Sequence, residues 1–202
     1  MKLRAPFGRL LIAPALLIAA ALAGLGASGG GDYQHQFDAS GALMQPPDYL
    51  WRQWVYVGTP VTPNSLNPPE AAFPEFHNVY MRPSDFEHWR RTGKFRDGTT
   101  LMKELVSVGS TQALSGKGFF EGEFIGLEAT IKDSKRFASE PGNWGYFTFS
   151  HEKPPYPKVA KQKPTGECNA CHAQGNAQGV AEDFVFTAYY PVIRAARPGA
   201  KP

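Results

Sequence analysis

The segment Cys168-Asn169-Ala170-Cys171-His172 has the residue types and spacing with the clearest chemical meaning. Cys-x-x-Cys-His is typical of covalent haem c attachment, in which both thiols add to the haem vinyl groups. The following histidine then lies under the porphyrin as the axial iron ligand. The chain has only 2 cysteines, both in this segment, so none is left for a structural disulfide. We predict that Cys168, Cys171 and His172 hold one haem c per chain.

Two other chemistries use a Cys-x-x-Cys pair. A thioredoxin-type redox pair usually lies in a βαβ unit, and the sequence shows no such pattern. Half of a zinc site needs further ligands at close spacing, and none follows His172. Both alternatives are therefore less favoured than haem attachment.

The N-terminus indicates export. Lys2, Arg4 and Arg9 precede an apolar run over residues 10–25, and small residues offer cleavage near 23 or 27. This pattern is typical of a secretory signal peptide over residues 1–27. The run is interrupted by proline and glycine and is short for a membrane span, so an uncleaved anchor is the less favoured alternative. We predict a periplasmic protein, which agrees with the haem motif.

The net charge excludes one class of partner. The chain has 21 Lys and Arg and 18 Asp and Glu, and the signal segment contains three of the basic residues and no acidic ones. The mature part is therefore balanced, and its composition gives no support for nucleic-acid binding.

Residues 28–202 amount to one domain of mixed structure in which strands dominate. Alternating apolar residues predict strands over residues 54–58, 77–81, 100–108, 118–132 and 145–150, with a break near Gly122 and Gly126 in the fourth. Helices are predicted over residues 83–93 and, with Thr165 as the cap, over the haem motif at 165–173. Proline-rich connections occupy residues 59–74 and 153–164, and the apolar residues 184–193 should pack on the haem. We predict an α+β, mainly β fold: an antiparallel sheet with peripheral helices and a C-terminal haem helix.

The chain resembles the cytochrome P-460 family of periplasmic monohaem proteins over residues 51–197. The resemblance extends beyond the haem motif to residues 54–59 (WVYVGT), 92–99 (TGKFRDGT), 103–109 (KELVSVG), 125–129 (IGLEA), 132–138 (KDSKRFA), 140–144 (EPGNW) and 185–187 (VFT). It implies a mainly antiparallel β fold, a homodimer, and oxidation of hydroxylamine to nitrous oxide or nitrite. A soluble periplasmic electron acceptor of the cytochrome type would take the electrons. It also implies a third link to the haem, from a lysine nitrogen to a porphyrin meso carbon, and the matching lysine is Lys103.

The residues around Lys103 agree with this role without requiring it. Lys103 shares one face of its predicted strand with Leu101, Leu105 and Ser107, and the other face carries Met102, Glu104, Val106 and Val108. An amine on an apolar face must extend to solvent, lose its hydration or react. The pattern alone favours an ordinary or salt-bridged lysine, and only the resemblance favours the cross-link.

The sixth iron position separates an enzyme from an electron carrier, which usually fills it with Met or His. No Met or His follows His172, so a second ligand would come from His35, Met44, His77, Met81, His88, Met102 or His151. His77 is the hardest to dismiss. Core packing explains Met81 and Met102, and His88 belongs on a helix surface. We therefore expect an open distal site that binds hydroxylamine or nitric oxide.

Removal of protons from hydroxylamine needs a distal base. The resemblance implies a carboxylate just before the haem motif, but gapless matching back from Cys168 places Lys163 there. A nearby glutamate could substitute, and the candidates are Glu121, Glu123, Glu128, Glu152 and Glu167.

Three functions are consistent with the sequence. The favoured one is a hydroxylamine oxidoreductase of the P-460 type. The second is a nitric oxide or gas-binding protein similar to cytochrome c′-beta, whose distal pocket is capped by phenylalanines; the candidates are Phe76, Phe95, Phe119, Phe120 and Phe124. Lys103 argues against it, because that group lacks the cross-link. The third is an electron carrier, which a six-coordinate, low-spin spectrum would reveal.

Overall fold

A computed structural model describes residues 33–200. The predicted signal peptide over residues 1–27 lies outside this range. The strands are β1 (Leu43–Met44), β2 (Val55–Gly58), β3 (Phe76–Met81), β4 (Thr100–Val108), β5 (Gln112–Ala113), β6 (Gly116–Lys117), β7 (Glu121–Lys132), β8 (Trp144–Ser150) and β9 (Val159–Ala160). The α-helices are α1 (Pro83–Thr92), α2 (Cys168–Ala177) and α3 (Pro191–Ala195). Among the described residues, no helix is long and apolar enough to cross a membrane.

The central element is a 5-stranded sheet in the order β2-β3-β4-β7-β8. All neighbouring strands in this sheet pair antiparallel. Short helices and loops surround it, which confirms the predicted α+β, mainly β fold. The five predicted long strands are all present with small differences in their bounds. The predicted breaks near Gly122 and Gly126 are instead two register shifts within one strand. Leu105 pairs with Gly126, Val106 with Phe124 and Val108 with Glu121.

Alternate residues of each strand point to opposite sides of the sheet. Other parts of the chain cover both sides. One face packs against the N-terminal part of the chain in a core that includes Trp51, Trp54, Met102, Leu127 and Phe147. The opposite face packs against α1 and the C-terminal segment, in a core of Val57, Val79, Met81, Trp89, Phe95, Leu101, Trp144, Tyr146, Val185, Tyr190 and Ile193. Within residues 184–193, which were predicted to pack on the haem, Val185, Tyr190 and Ile193 belong to this second core, and Phe184, Phe186 and Val192 pack against it.

Helix α1 follows the predicted signals at its ends. Pro83 occupies its first turn, Arg90 and Arg91 lie in its last turn, and Gly93 follows in the left-handed conformation at φ 65°. Trp89 anchors the helix, because its ring stacks on Phe95 at 4.4 Å between centroids and its indole donates to the Ile193 carbonyl at 2.9 Å.

A buried ion pair connects α1 to the start of β4. Arg82 donates from Nε and Nη2 to the two carboxylate oxygens of Asp85, each at 2.8 Å. The Thr100 amide also donates to Asp85, at 3.0 Å, and Arg96 donates to it at 3.1 Å. Arg82 further donates to the Tyr33 and Gly98 carbonyls, so both charges are satisfied away from water.

We expect Asp85→Ala to be among the most destabilising substitutions outside the haem site. Removing one partner of a buried pair leaves the other charge uncompensated, which costs about 3–5 kcal/mol. Urea unfolding of the purified protein would show a large fall in midpoint. Glu87→Ala is the matched control on the same helix, because Glu87 pairs with Arg90 at the surface and its loss should hardly change the free energy of unfolding. Equal effects of the two substitutions would contradict this account.

Candidate functional site

One cavity of ≈ 300 Å³ lies between the sheet and the C-terminal segment. Ligand pockets in proteins span about 300–1,000 Å³. All five residues predicted to form the haem site line this cavity, although they come from β4, α2 and the loop between β9 and α2: Lys103, Lys163, Cys168, Cys171 and His172. The fold therefore brings together residues that are up to 69 positions apart in the chain.

One wall of the cavity is formed by the sheet, and the strand register places Lys103 in this wall. Val79 on β3 pairs with Lys103, and Lys103 pairs with Glu128 on β7. Lys103 shares the wall with Leu101 and with Thr130 and Tyr146 of the next strands. The predicted alternation of β4 is thus present, because Met102 and Glu104 belong to the opposite, buried side.

Helix α2 begins at Cys168, so the predicted start at residue 165 and the predicted cap Thr165 were wrong. The Thr165 hydroxyl instead donates to Glu140 Oε2 at 2.7 Å. Glu140 also accepts from Gln162 at 2.9 Å and from the Asn169 amide at 3.1 Å. Asn169 lies between the two cysteines, so Glu140 positions the attachment motif from a turn that is distant in sequence.

His172 is held as an iron ligand would be. Its Nδ1 donates to the Phe184 carbonyl at 2.6 Å, which leaves Nε2 as the nitrogen that can bind a metal. The rings of Tyr146 and Phe186 flank the imidazole, each at 4.6 Å between centroids. Burial lowers the pKa of His172 to about 4, against the opposing effect of the Phe184 carbonyl. The imidazole is therefore neutral at physiological pH, as metal binding requires.

An unusual turn supplies that carbonyl. Asp183 and Phe184 both have left-handed backbone conformations, at φ 47° and 63°. The Phe184 amide is held by Asn176 Oδ1 of α2 at 2.9 Å. Gly175 of the same helix has no side chain where Phe186 packs, and a Cβ there would overlap the ring. Helix α2 thus contributes the candidate ligand, His172, and also holds the turn that orients it.

Glu128 is the best-buried carboxylate at the cavity. Its Oε2 lies 2.5 Å from Lys103 Nζ, and its Oε1 lies 2.9 Å from His151 Nε2. Burial alone would raise the pKa of Glu128, but the charge of Lys103 and the contact with His151 outweigh it and lower the pKa to about 2.

The other proposed bases differ in position. Lys163 and Glu167 both line the cavity but pair with each other at 2.6 Å, and Glu167 is half exposed. This hydrogen bond raises the pKa of Lys163. Glu121, Glu123 and Glu152, all in the described part of the chain, are exposed and do not line the cavity. Glu128 is therefore the carboxylate best placed to replace the one expected at residue 163.

Of the seven candidate sixth ligands, all of which the structure describes, only His77 and His151 line the cavity. Met81 and Met102 are buried in the two cores, and Met44 is exposed. His77 Nε2 is buried, and within residues 33–200 it has no hydrogen-bond partner, since Glu75 Oε1 is 3.8 Å away. Burial lowers the pKa of His77, which keeps its imidazole neutral.

The five phenylalanines proposed as candidates for a distal cap were wrong. Phe76, Phe95, Phe119, Phe120 and Phe124 all lie in the described range, and none of them lines the cavity. Phe73 does, with its ring centroid 5.3 Å from Lys103 Nζ and 5.9 Å from the His77 ring. Phe73 was not predicted, because it lies in the proline-rich connection over residues 59–74. It is the one aromatic residue of that connection, and this was the signal that could have identified it.

These residues fit a haem. The cavity has apolar walls, both free thiols lie at its edge, and a neutral imidazole presents its unbound nitrogen. The sequence profile of the family described as Cytochrome P460 matches residues 46–187, most of the chain. This match confirms the resemblance seen in the sequence. A search of curated proteins found no significant match.

Proposed function

Because the chain belongs to the cytochrome P460 family, whose members are generally hydroxylamine-oxidising haem enzymes, we propose that it oxidises hydroxylamine. The observation that carries the proposal is the pairing of Lys103 with Glu128 in the cavity on which the Cys168–His172 motif opens. This pairing supplies an amine for a cross-link and a carboxylate for proton removal in one place.

The residues that would hold the haem follow from the site. Cys168 and Cys171 would form the two thioethers, His172 would bind the iron through Nε2, and Lys103 Nζ would form the third link. When bound, the haem would supply electron transfer from the substrate to an external acceptor. The hydrogen bond to Phe184 fixes which nitrogen of His172 is available.

Glu128 accepts protons from the substrate. Two hydroxylamine molecules that give nitrous oxide and water release four protons and four electrons, so a base must act as the electrons leave. A carboxylate with a pKa of about 2 is a weak base, and the Lys103 ammonium is one cause of that low value. A lysine nitrogen bonded to an aromatic carbon is uncharged at neutral pH, so the cross-link raises the basicity of Glu128. The cross-link made by Lys103 therefore also makes Glu128 a better proton acceptor.

The remaining features concern location and assembly. The family is periplasmic in general, and the basic and apolar N-terminus supports export of this chain. A homodimer and a soluble cytochrome acceptor are part of the proposal. Tyr56, Leu66 and Leu114 are exposed apolar residues of the kind a subunit contact would cover.

Glu128→Gln tests the function directly. We expect turnover of hydroxylamine to fall by at least about 10²-fold, since a positioned base contributes about 10²–10⁴. The optical spectrum and nitric oxide binding should be preserved. Turnover would be followed with a one-electron acceptor dye.

Glu123→Gln is the matched control, because Glu123 lies on the same strand and pairs with Lys153 outside the cavity. Full turnover in Glu128→Gln would exclude Glu128 as the base. A wild-type protein that binds nitric oxide at a five-coordinate haem but oxidises no hydroxylamine would support the gas-binding function instead.

A further inference from the structure

We propose that His151 is the proton exit of this site: it takes protons from Glu128 and releases them to solvent. This inference rests on the proposed hydroxylamine oxidation and adds a residue to it. In each transfer, the bond from hydrogen to the substrate N or O breaks and the proton moves to Glu128. The carboxylic O–H then breaks as the proton passes to His151 Nε2, and Nδ1 gives its proton to water. Proton exchange with solvent returns the ring to the Nδ1–H tautomer, so Nε2 can accept again. The electrons leave separately, to the external acceptor.

The two oxygens of Glu128 face different partners. Oε2 contacts Lys103, the residue on the proposed haem side, and Oε1 contacts His151 at 2.9 Å. The Thr148 hydroxyl lies 3.5 Å from Oε1, too far for a strong competing hydrogen bond. A proton taken up at Oε2 reaches His151 when the carboxyl group rotates and presents its O–H to Nε2.

Exposure increases along this path. The side chain of Glu128 is 16% exposed, whereas that of His151 is 57% exposed, and both residues line the cavity. A histidine that touches the buried base at one nitrogen and solvent at its other end is arranged as a proton shuttle. Of the other two histidines at the cavity, His172 is the candidate iron ligand, and His77 has a buried Nε2 and makes no hydrogen bond to Glu128.

The backbone is shaped to bring His151 to this position. At the end of β8, Ser150 pairs with Leu127 while Thr148 pairs with Glu128, so Phe149 is an extra residue in the strand. Such a bulge redirects the residues that follow it. Gly126 permits the close approach of the chain, because a Cβ there would lie 2.8 Å from the Ser150 carbonyl oxygen and 3.3 Å from His151 Cα.

The charges around His151 suit this role. Its contact with Glu128 raises the pKa of His151, burial and the Lys103 charge lower it, and Glu75 raises it. The pKa of His151 is raised overall, so the imidazole stays protonated up to a higher pH than an ordinary histidine. Below its pKa, His151 is already protonated and cannot accept from Glu128, so turnover should fall as the pH decreases through this pKa.

His151→Gln tests the proposal in the haem-loaded protein. Glutamine can still donate a hydrogen bond to Glu128 but cannot carry a proton. We expect turnover to fall about tenfold or more, with an unchanged optical spectrum and unchanged nitric oxide affinity. Added imidazole should restore turnover in proportion to its concentration, over the range in which the optical spectrum shows that it does not bind the haem iron. His88→Gln on α1, which lies outside the cavity, should behave like the wild-type protein and show no response to imidazole.

A second measurement does not depend on turnover or on the folding of His151→Gln. The pKa of the His151 ring can be followed by NMR in the diamagnetic ferrous carbonyl form, in wild type and in Glu128→Gln. We expect it to be raised in wild type and to fall in the variant. An unchanged pKa, or full turnover of His151→Gln without imidazole dependence, would overturn this inference alone. Absence of hydroxylamine oxidation in the wild type would overturn the proposed function as well, so the two failures are distinguishable.

Discussion

Lys103→Ala is expected to retain covalent haem and to lose both the red-shifted Soret band and hydroxylamine oxidation. A nitrogen bonded to a meso carbon perturbs the conjugated ring and distorts the macrocycle, and distortion is one way in which a protein tunes a haem. Before the cross-link forms, Lys103 is a cation that contacts Glu128, and the substitution removes that contact as well. Absorption spectra, intact mass and turnover with an acceptor dye would measure the effect, and nitric oxide binding should persist.

Lys103→Arg is the matched control, because arginine keeps a long basic side chain beside Glu128 but cannot form the same amine link. It should lose the red-shifted band as alanine does. If Lys103→Ala keeps the wild-type spectrum, Lys103 is not the cross-linking residue. If the spectrum changes and full turnover remains, the cross-link is incidental and catalysis rests on the distal base alone.

Replacing both cysteines by alanine is expected to abolish covalent haem. Cys168 and Cys171 are the chain's only thiols, so nothing else can form a thioether. The wild-type haem should stay with the protein on extraction into acidified organic solvent, and its intact mass should include the haem. Cys171→Ala alone should keep one thioether and an altered spectrum. Extraction of haem from the wild-type protein would contradict the attachment.

The sheet could be predicted from the sequence because local alternation determines which residues share a face. In β4 the alternation correctly separated Leu101 and Lys103 from Met102 and Glu104. The helix α1 could also be predicted, since its proline, charges and terminal glycine are local signals. Those features need no knowledge of distant contacts.

The features that could not be predicted depend on contacts between residues that are distant in the sequence. Thr165 does not cap α2 because its hydroxyl is bound by Glu140, 25 positions earlier. The sequence could not single out Glu128 among the five glutamates proposed as the distal base. Its pairing with Lys103 depends on the register of β4 and β7, which the shift near Gly126 helps to set. The partner of His172 is a backbone carbonyl, which no residue type reveals.

The opposite charges at consecutive positions of β4 also bear on how the chain reaches its fold. Lys103 meets Glu128 on one face of the sheet, while the buried Glu104 accepts a two-pronged hydrogen bond from Arg52 on the other. A slip of β4 by one residue would exchange the faces of every side chain. A slip in one direction would set Glu104 toward Glu128, and a slip in the other would set Lys103 toward Arg52, so like charges would meet in either case. The charges of Lys103 and Glu128, which are proposed to serve the oxidation of hydroxylamine, therefore also disfavour misaligned strand pairings during folding, before any haem is attached.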